Sequence, residues 1–84
     1  MDLIAIRQNI DALDTELLAL LKRRFDLAHR TTALKTAVHD PRREEEMRAK
    51  WQREAVSLGL SPAFATELLH LLLAESHRLQ SSAS

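Results

Sequence analysis

A seven-residue apolar repeat runs through the first half of this 84-residue chain and limits what it can fold into. One row reads Leu3, Ile10, Leu17, Arg24, Thr31 and Val38; the other reads Ile6, Leu13, Leu20, Leu27 and Leu34. This is an a/d seam sustained over about five heptads, the mark of a long helix that packs along its length. Only Arg24 and Thr31 break the apolar rule. Leu18, Leu21, Phe25 and Ala28 widen the stripe, so the helix has apolar surface on more than one side.

The rest of the chain is punctuated as two further helices. Asp40-Pro41 reads as an N-cap followed by proline at the first helical position, and Ser61-Pro62 repeats the signal. Gly59 stands where a helix end wants positive φ. The expected helices cover 2–38, 41–58 and 62–80, within one all-α domain over 1–80 followed by a flexible tail over 81–84. A β-fold would need more turn and β-branched residues. A single glycine excludes Gly-rich phosphate loops.

A continuous helix over 2–38 would be about 55 Å long, whereas a compact chain of this size is nearer 30 Å across. Two shorter helices cannot cover all of its apolar surface. The simplest cover is a second copy related by a two-fold axis, so the fold expected is an intertwined helical homodimer with the long helices running against each other.

Composition narrows the function. Hydrophobic residues make up 45% and charged residues 29% at zero formal net charge, which fits neither a disordered chain nor a nucleic-acid tail. With no cysteine, disulfide scaffolds, Cys-based zinc sites and thiol nucleophiles fall away. Asp2 and Arg7 make the start unlike a secretory signal, and the longest apolar stretch, 68–74, is too short to cross a bilayer. A cytoplasmic protein without membrane or nucleic-acid partners is expected. His29, His39, His70 and His77 lack metal-binding spacing, Glu67 and His70 form a single acid–His pair, and no metal or cofactor is expected. Trp51, with Met47, Ala55 and Leu58, reads as core of the second helix.

Several polar residues stand in or beside the apolar faces. Arg24 occupies a seam position, where an uncompensated charge is costly, so an anion or a structural ion pair should meet it. Ser76 and Gln80, four apart, extend the face begun by Ala65, Leu68, Leu69 and Leu72, although a solvated helix end is the better reading of them alone. Lys35 lies beside the seam about 16 Å beyond Arg24, and Arg7 about 42 Å before Lys35 on the same side. In isolation each reads as a surface cation. In an antiparallel pair, facing positions sum to a constant. Setting Arg7 of one copy midway between Arg24 and Lys35 of the other puts the axis near Leu18, close to the middle of the expected helix. One geometry thus brings cations of both copies into two identical pockets. Such a pocket suits a small dicarboxylate, because arginine forks clamp carboxylates in a bidentate manner.

With these residues assembled, the sequence resembles the all-helical, AroQ-class chorismate mutases. The matching segments are Ile6-Arg7-Gln8-Asn9-Ile10-Asp11-Ala12-Leu13-Asp14, then Leu17-Leu18-Ala19-Leu20-Leu21-Lys22-Arg23-Arg24, then Lys35, then Asp40-Pro41-Arg42-Arg43-Glu44. The resemblance covers about residues 3–80. It implies a dimer with active sites shared between subunits. It further implies that Arg7, from the neighbouring subunit, and Arg24 hold the substrate's two carboxylates. Lys35 then reaches the ether oxygen and a carboxylate, and Gln80 is the second donor to that oxygen. Glu44 accepts a hydrogen bond from the ring hydroxyl, and Ser76 lies near a carboxylate. Two departures stand on the second helix, where Met47 and Arg48 replace an arginine and a glutamate of some members. Another is Thr32-Ala33-Leu34, in place of a Gly-Lys-Ala before the lysine.

The implied reaction is the Claisen rearrangement of chorismate to prephenate, which is pericyclic and needs no nucleophile, metal or proton transfer. The protein must hold the enolpyruvyl arm over the ring and stabilise negative charge on the ether oxygen. Because Gln80 does not titrate near neutrality, the rate should vary little between about pH 6 and 8. Isochorismate-pyruvate lyases and 4-amino-4-deoxychorismate mutases resemble the same family, and an acid at position 44 argues mildly against the lyase. A non-catalytic dimerisation module is the remaining alternative, and an activating partner enzyme is left open.

Overall fold

The computed structural model describes residues 2–31, 34 and 40–82. Helix α1 runs Leu3–Arg30, α2 Pro41–Leu58 and α3 Pro62–Ser82, and no strand occurs among the described residues.

Local chemistry sets each boundary. Asp2 caps α1, its Oδ1 accepting from the Ala5 N–H at 2.8 Å. Asp40 caps α2 by accepting from the Arg43 N–H at 3.2 Å, with Pro41 in the first turn. Gly59 ends α2 at φ +77°, and the Leu60 N–H reaches the Ala55 carbonyl at 2.8 Å, which satisfies a last-turn acceptor. The Ser61 hydroxyl accepts from the Phe64 N–H at 3.2 Å and so opens α3, which continues two residues past the expected end at 80.

The long helix is shorter than its heptads suggest. It ends at Arg30 rather than 38, and its 28 residues span about 42 Å. Thr31 forms the cap, its N–H bonding to Ala28 and His29 carbonyls and its hydroxyl donating to Ala28 O at 2.6 Å. A threonine hydroxyl that takes a last-turn carbonyl competes with helix continuation. Leu34 then sits in a turn, its N–H on the Thr31 carbonyl at 3.0 Å. Val38 and Lys35 lie outside the described residues, and the helical spacing that linked Lys35 to Arg24 stops at Arg30.

The core sits between α2 and α3. Ala55, Ala65, Leu69 and Leu72 are buried, Leu69 completely, and Gln52 donates to the Thr66 hydroxyl across the hairpin at 3.0 Å. Leu68 and Leu79 are half-buried. Of the four side chains expected in the α2 core, Ala55 is buried, Met47 and Trp51 are half-buried, and Leu58 is exposed.

Helix α1 docks on this hairpin only through its second half, where Leu21, Arg24, Phe25, Ala28 and Thr31 are half-buried. From Ile6 to Leu20 every side chain is exposed, including Ile10, Leu13 (61%) and Leu17 (52%) of the heptad rows. The chain is elongated, 52 × 26 × 15 Å, with a radius of gyration of 15.6 Å. A compact chain of this length would have roughly 12 Å. None of the described helices is long and apolar enough to cross a membrane.

Candidate active site

Where α1 meets the hairpin, three helices leave a cleft of about 240 Å³ open to solvent. Helix α1 contributes Arg24, Ala28 and Thr31; α2 and its cap contribute Asp40, Arg43, Glu44 and Met47; α3 contributes Leu73, Ser76, His77 and Gln80. Four residues expected at the site from sequence, Arg24, Glu44, Ser76 and Gln80, therefore share one wall-to-wall space. Arg7 is not among its lining residues and lies on the exposed half of α1. Lys35 lies outside the described residues.

Arg24 is half-buried, with Nη1 3.5 Å from the Ser76 hydroxyl and Nη2 3.9 Å from the Met47 sulfur. Both partners are neutral, and Arg24 forms no ion pair among the described residues. Burial, with the Arg43 guanidinium as a second cause, pulls its pKa below the ordinary arginine value. Both effects disfavour the charged form. An anion entering the cleft would offset both, because an opposite charge nearby favours the charged guanidinium.

Ser76 and Gln80 are each only 5% exposed, so the α3 face continues to its end with polar groups inside rather than in solvent. Gln80 Nε2 donates to the Ala28 carbonyl at 2.7 Å and to the Thr31 hydroxyl at 3.3 Å. It joins the Thr31 N–H and hydroxyl on that last-turn carbonyl and so ties α3 to the end of α1. Gln80 Oε1 is buried and has no hydrogen-bond partner among the described residues. An unsatisfied buried acceptor is costly, and such atoms concentrate where a ligand or water completes the site.

Glu44, in the first turn of α2, meets His77 of α3. The His77 Nε2 donates to Glu44 Oε2 at 2.8 Å. Arg48 is turned away from the cleft and pairs with Glu45 on the exposed surface of α2. Met47 places its sulfur against Arg24.

Arg43 and His77 line the cleft without having been singled out from sequence. The signal for Arg43 was its place three residues after the cap, in the first turn of α2 and next to Glu44. His77 had only its adjacency to Ser76. Its partner is 33 positions away, a distance that only the packing of α3 on α2 resolves. Among the described residues no group of three or more His, Asp or Glu side chains is arranged to hold a metal ion.

The family model described as Chorismate mutase type II matches residues 6–81. The T-protein of Enterobacter agglomerans is 32% identical over 80 residues, which is 90% of this chain. The chain spans about a fifth of that relative's length, 21%.

Proposed function

The chain belongs to the type II chorismate mutase family, and on that premise we propose that it converts chorismate to prephenate in a cleft completed by a second copy of itself. The observation that carries the reading is Arg24, a half-buried guanidinium that meets a hydroxyl and a thioether where a carboxylate is wanted. A substrate carboxylate supplies the missing charge in a bidentate contact.

Each further role follows from the chemistry of its group. Ser76 stands beside the Arg24 fork and donates to the same carboxylate. Gln80 offers amide hydrogens to the ether oxygen as the C–O bond breaks, and its longer contact, to Thr31, is the one that a substrate oxygen replaces. Lys35 is the second donor to that oxygen. Glu44 accepts from the ring hydroxyl. No covalent intermediate is needed, because restriction of the enolpyruvyl arm and fixed donors at the developing negative charge lower the barrier together.

The remaining carboxylate requires the partner's Arg7. Support for the pairing comes from the exposed apolar face of α1. Covering such leucine and isoleucine side chains contributes on the order of 1 kcal/mol each. If facing positions of two antiparallel α1 helices sum to 36, with the axis at Leu18, the partner's Arg7 stands level with His29 (36 − 7 = 29). That level is beside Ala28 and Thr31 of the cleft wall.

The test is to follow the loss of chorismate absorbance and the appearance of prephenate with the purified chain. Turnover is expected. Its absence, or faster turnover of isochorismate or 4-amino-4-deoxychorismate in competition, contradicts the assignment.

A further inference from the structure

We propose that Arg43 is a further substrate-binding residue, a guanidinium that meets the guest's carboxylates from α2 while Arg24 meets them from α1; this rests on the chorismate mutase reading of the cleft. The two arginines come from different helices and line one space of about 240 Å³, so both face the same guest. Arg43 stands in the first turn of α2, where the Asp40 carboxylate holds its backbone N–H at 3.2 Å. The residue is exposed and forms part of the cleft wall.

The neighbours of Arg43 on its own helix withhold an acid from it. Arg42 pairs with Glu46 at 3.5 Å, Arg48 with Glu45, and Lys50 with Glu54 at 3.8 Å. Partners three or four positions apart share a helix face, and each of these pairs has that spacing. Four positions after Arg43 stands the neutral Met47, and Glu46, three after it, is taken by Arg42. Asp40 serves as the cap, and Glu44 pairs with His77. Arg43 forms no ion pair among the described residues.

Without a ligand this placement is unfavourable on three counts. A cation sits at the positive end of a helix dipole. A second guanidinium faces the same cleft, and its nearness is one of the causes that lower the Arg24 pKa. No acid offsets either effect. A dianion offsets both, and Arg43 in turn offsets the acids Asp40 and Glu44 that the α2 wall presents to it. The carboxylates of chorismate keep their charge throughout the rearrangement. A contact made equally in ground and transition states sets KM and leaves kcat alone.

The experiment is steady-state kinetics on the full chain and three variants, with urea unfolding in the absence and presence of malonate as a second readout. Arg43→Gln raises KM about tenfold, the scale of one hydrogen bond to a charged group, while kcat holds. Arg43→Lys keeps the charge without the fork and falls between Arg43→Gln and the wild type. Arg42→Gln, beside it but outside the cleft, leaves KM unchanged. Without malonate, Arg43→Gln unfolds at the same or a higher urea concentration than the wild type, because a like-charge contact is relieved. Malonate raises the wild-type midpoint by binding the folded state, and raises that of Arg43→Gln less. An unchanged KM in Arg43→Gln, an equal loss in Arg42→Gln, or a lowered midpoint without malonate overturns the proposal. A wild type that turns over nothing, with malonate protection that depends on Arg43, sinks the chorismate mutase reading and keeps Arg43 as a carboxylate ligand. An active wild type whose KM and malonate response ignore Arg43 sinks this role alone.

Discussion

The two halves of α1 are built from the same heptads and end in opposite environments. From Leu21 to Thr31 the helix lies against α3, and its misplaced polar residue, Arg24, lines a cleft. From Ile6 to Leu20 it touches water on every side, apolar rows included. Each half lacks something that one chain does not supply. The first half lacks an apolar cover, and the second lacks an anion for a half-buried guanidinium. On the proposed pairing, an antiparallel partner covers the first half and brings its Arg7 to the cleft, and the substrate's carboxylates meet both guanidinium groups. The difference teaches that one heptad pattern runs through a docked half and an exposed half, and on the proposed pairing the exposed half is the interface between chains.

The comparison breaks most severely if the exposed half is made incompatible with a partner. Leu17→Glu should dissociate the protein into single chains and remove turnover altogether, as read by sedimentation and the prephenate assay. A monomeric, fully active variant would show that the exposed rows are not an interface. In the docked half, Arg24→Leu should lower kcat/KM by about 10³-fold, the scale of losing a buried charge-assisted contact. Stability should stay level or rise, because an unpaired charge leaves the interior. Equal activity with higher stability would instead mark a dimerisation module. Gln80→Leu should cost on the order of 10²-fold in kcat, as for other oxyanion donors. It should also loosen the end of α1, which amide exchange at Thr31 would report.

Smaller effects separate the hairpin from the seam. Leu69→Ala removes the fully buried side chain of the α2–α3 core, and urea unfolding should show a loss of about 2–5 kcal/mol. Asp40→Ala deletes the α2 cap at a cost of about 1 kcal/mol, with KM little changed.

Much of this was legible in the residues. The capping signals at Asp40-Pro41, Gly59 and Ser61-Pro62 are local chemistry, and the structure uses each of them. The α3 face was legible through Gln80 because Ala65, Leu69, Leu72, Ser76 and Gln80 keep one helical spacing, and all five are buried. The end of α1 was not, because the heptads continue through Leu34 while a side-chain hydrogen bond of Thr31 stops the helix at Arg30. Periodicity records which side is apolar and is silent on where a hydroxyl captures a carbonyl. Arg43 and His77 were missed for a related reason. Their place in the cleft depends on how α2 and α3 pack, which a pattern within one helix does not contain.

The shared site is tested most directly by mixing two inactive variants, Arg7→Ala and Arg24→Ala, under conditions that exchange subunits. A mixed dimer carries both defects in one site and an intact second site. With random exchange, half the dimers are mixed and half of their sites are whole, so activity should return to about a quarter of the wild-type value. No recovery on mixing, with exchange verified by mass, would contradict a site built from both copies.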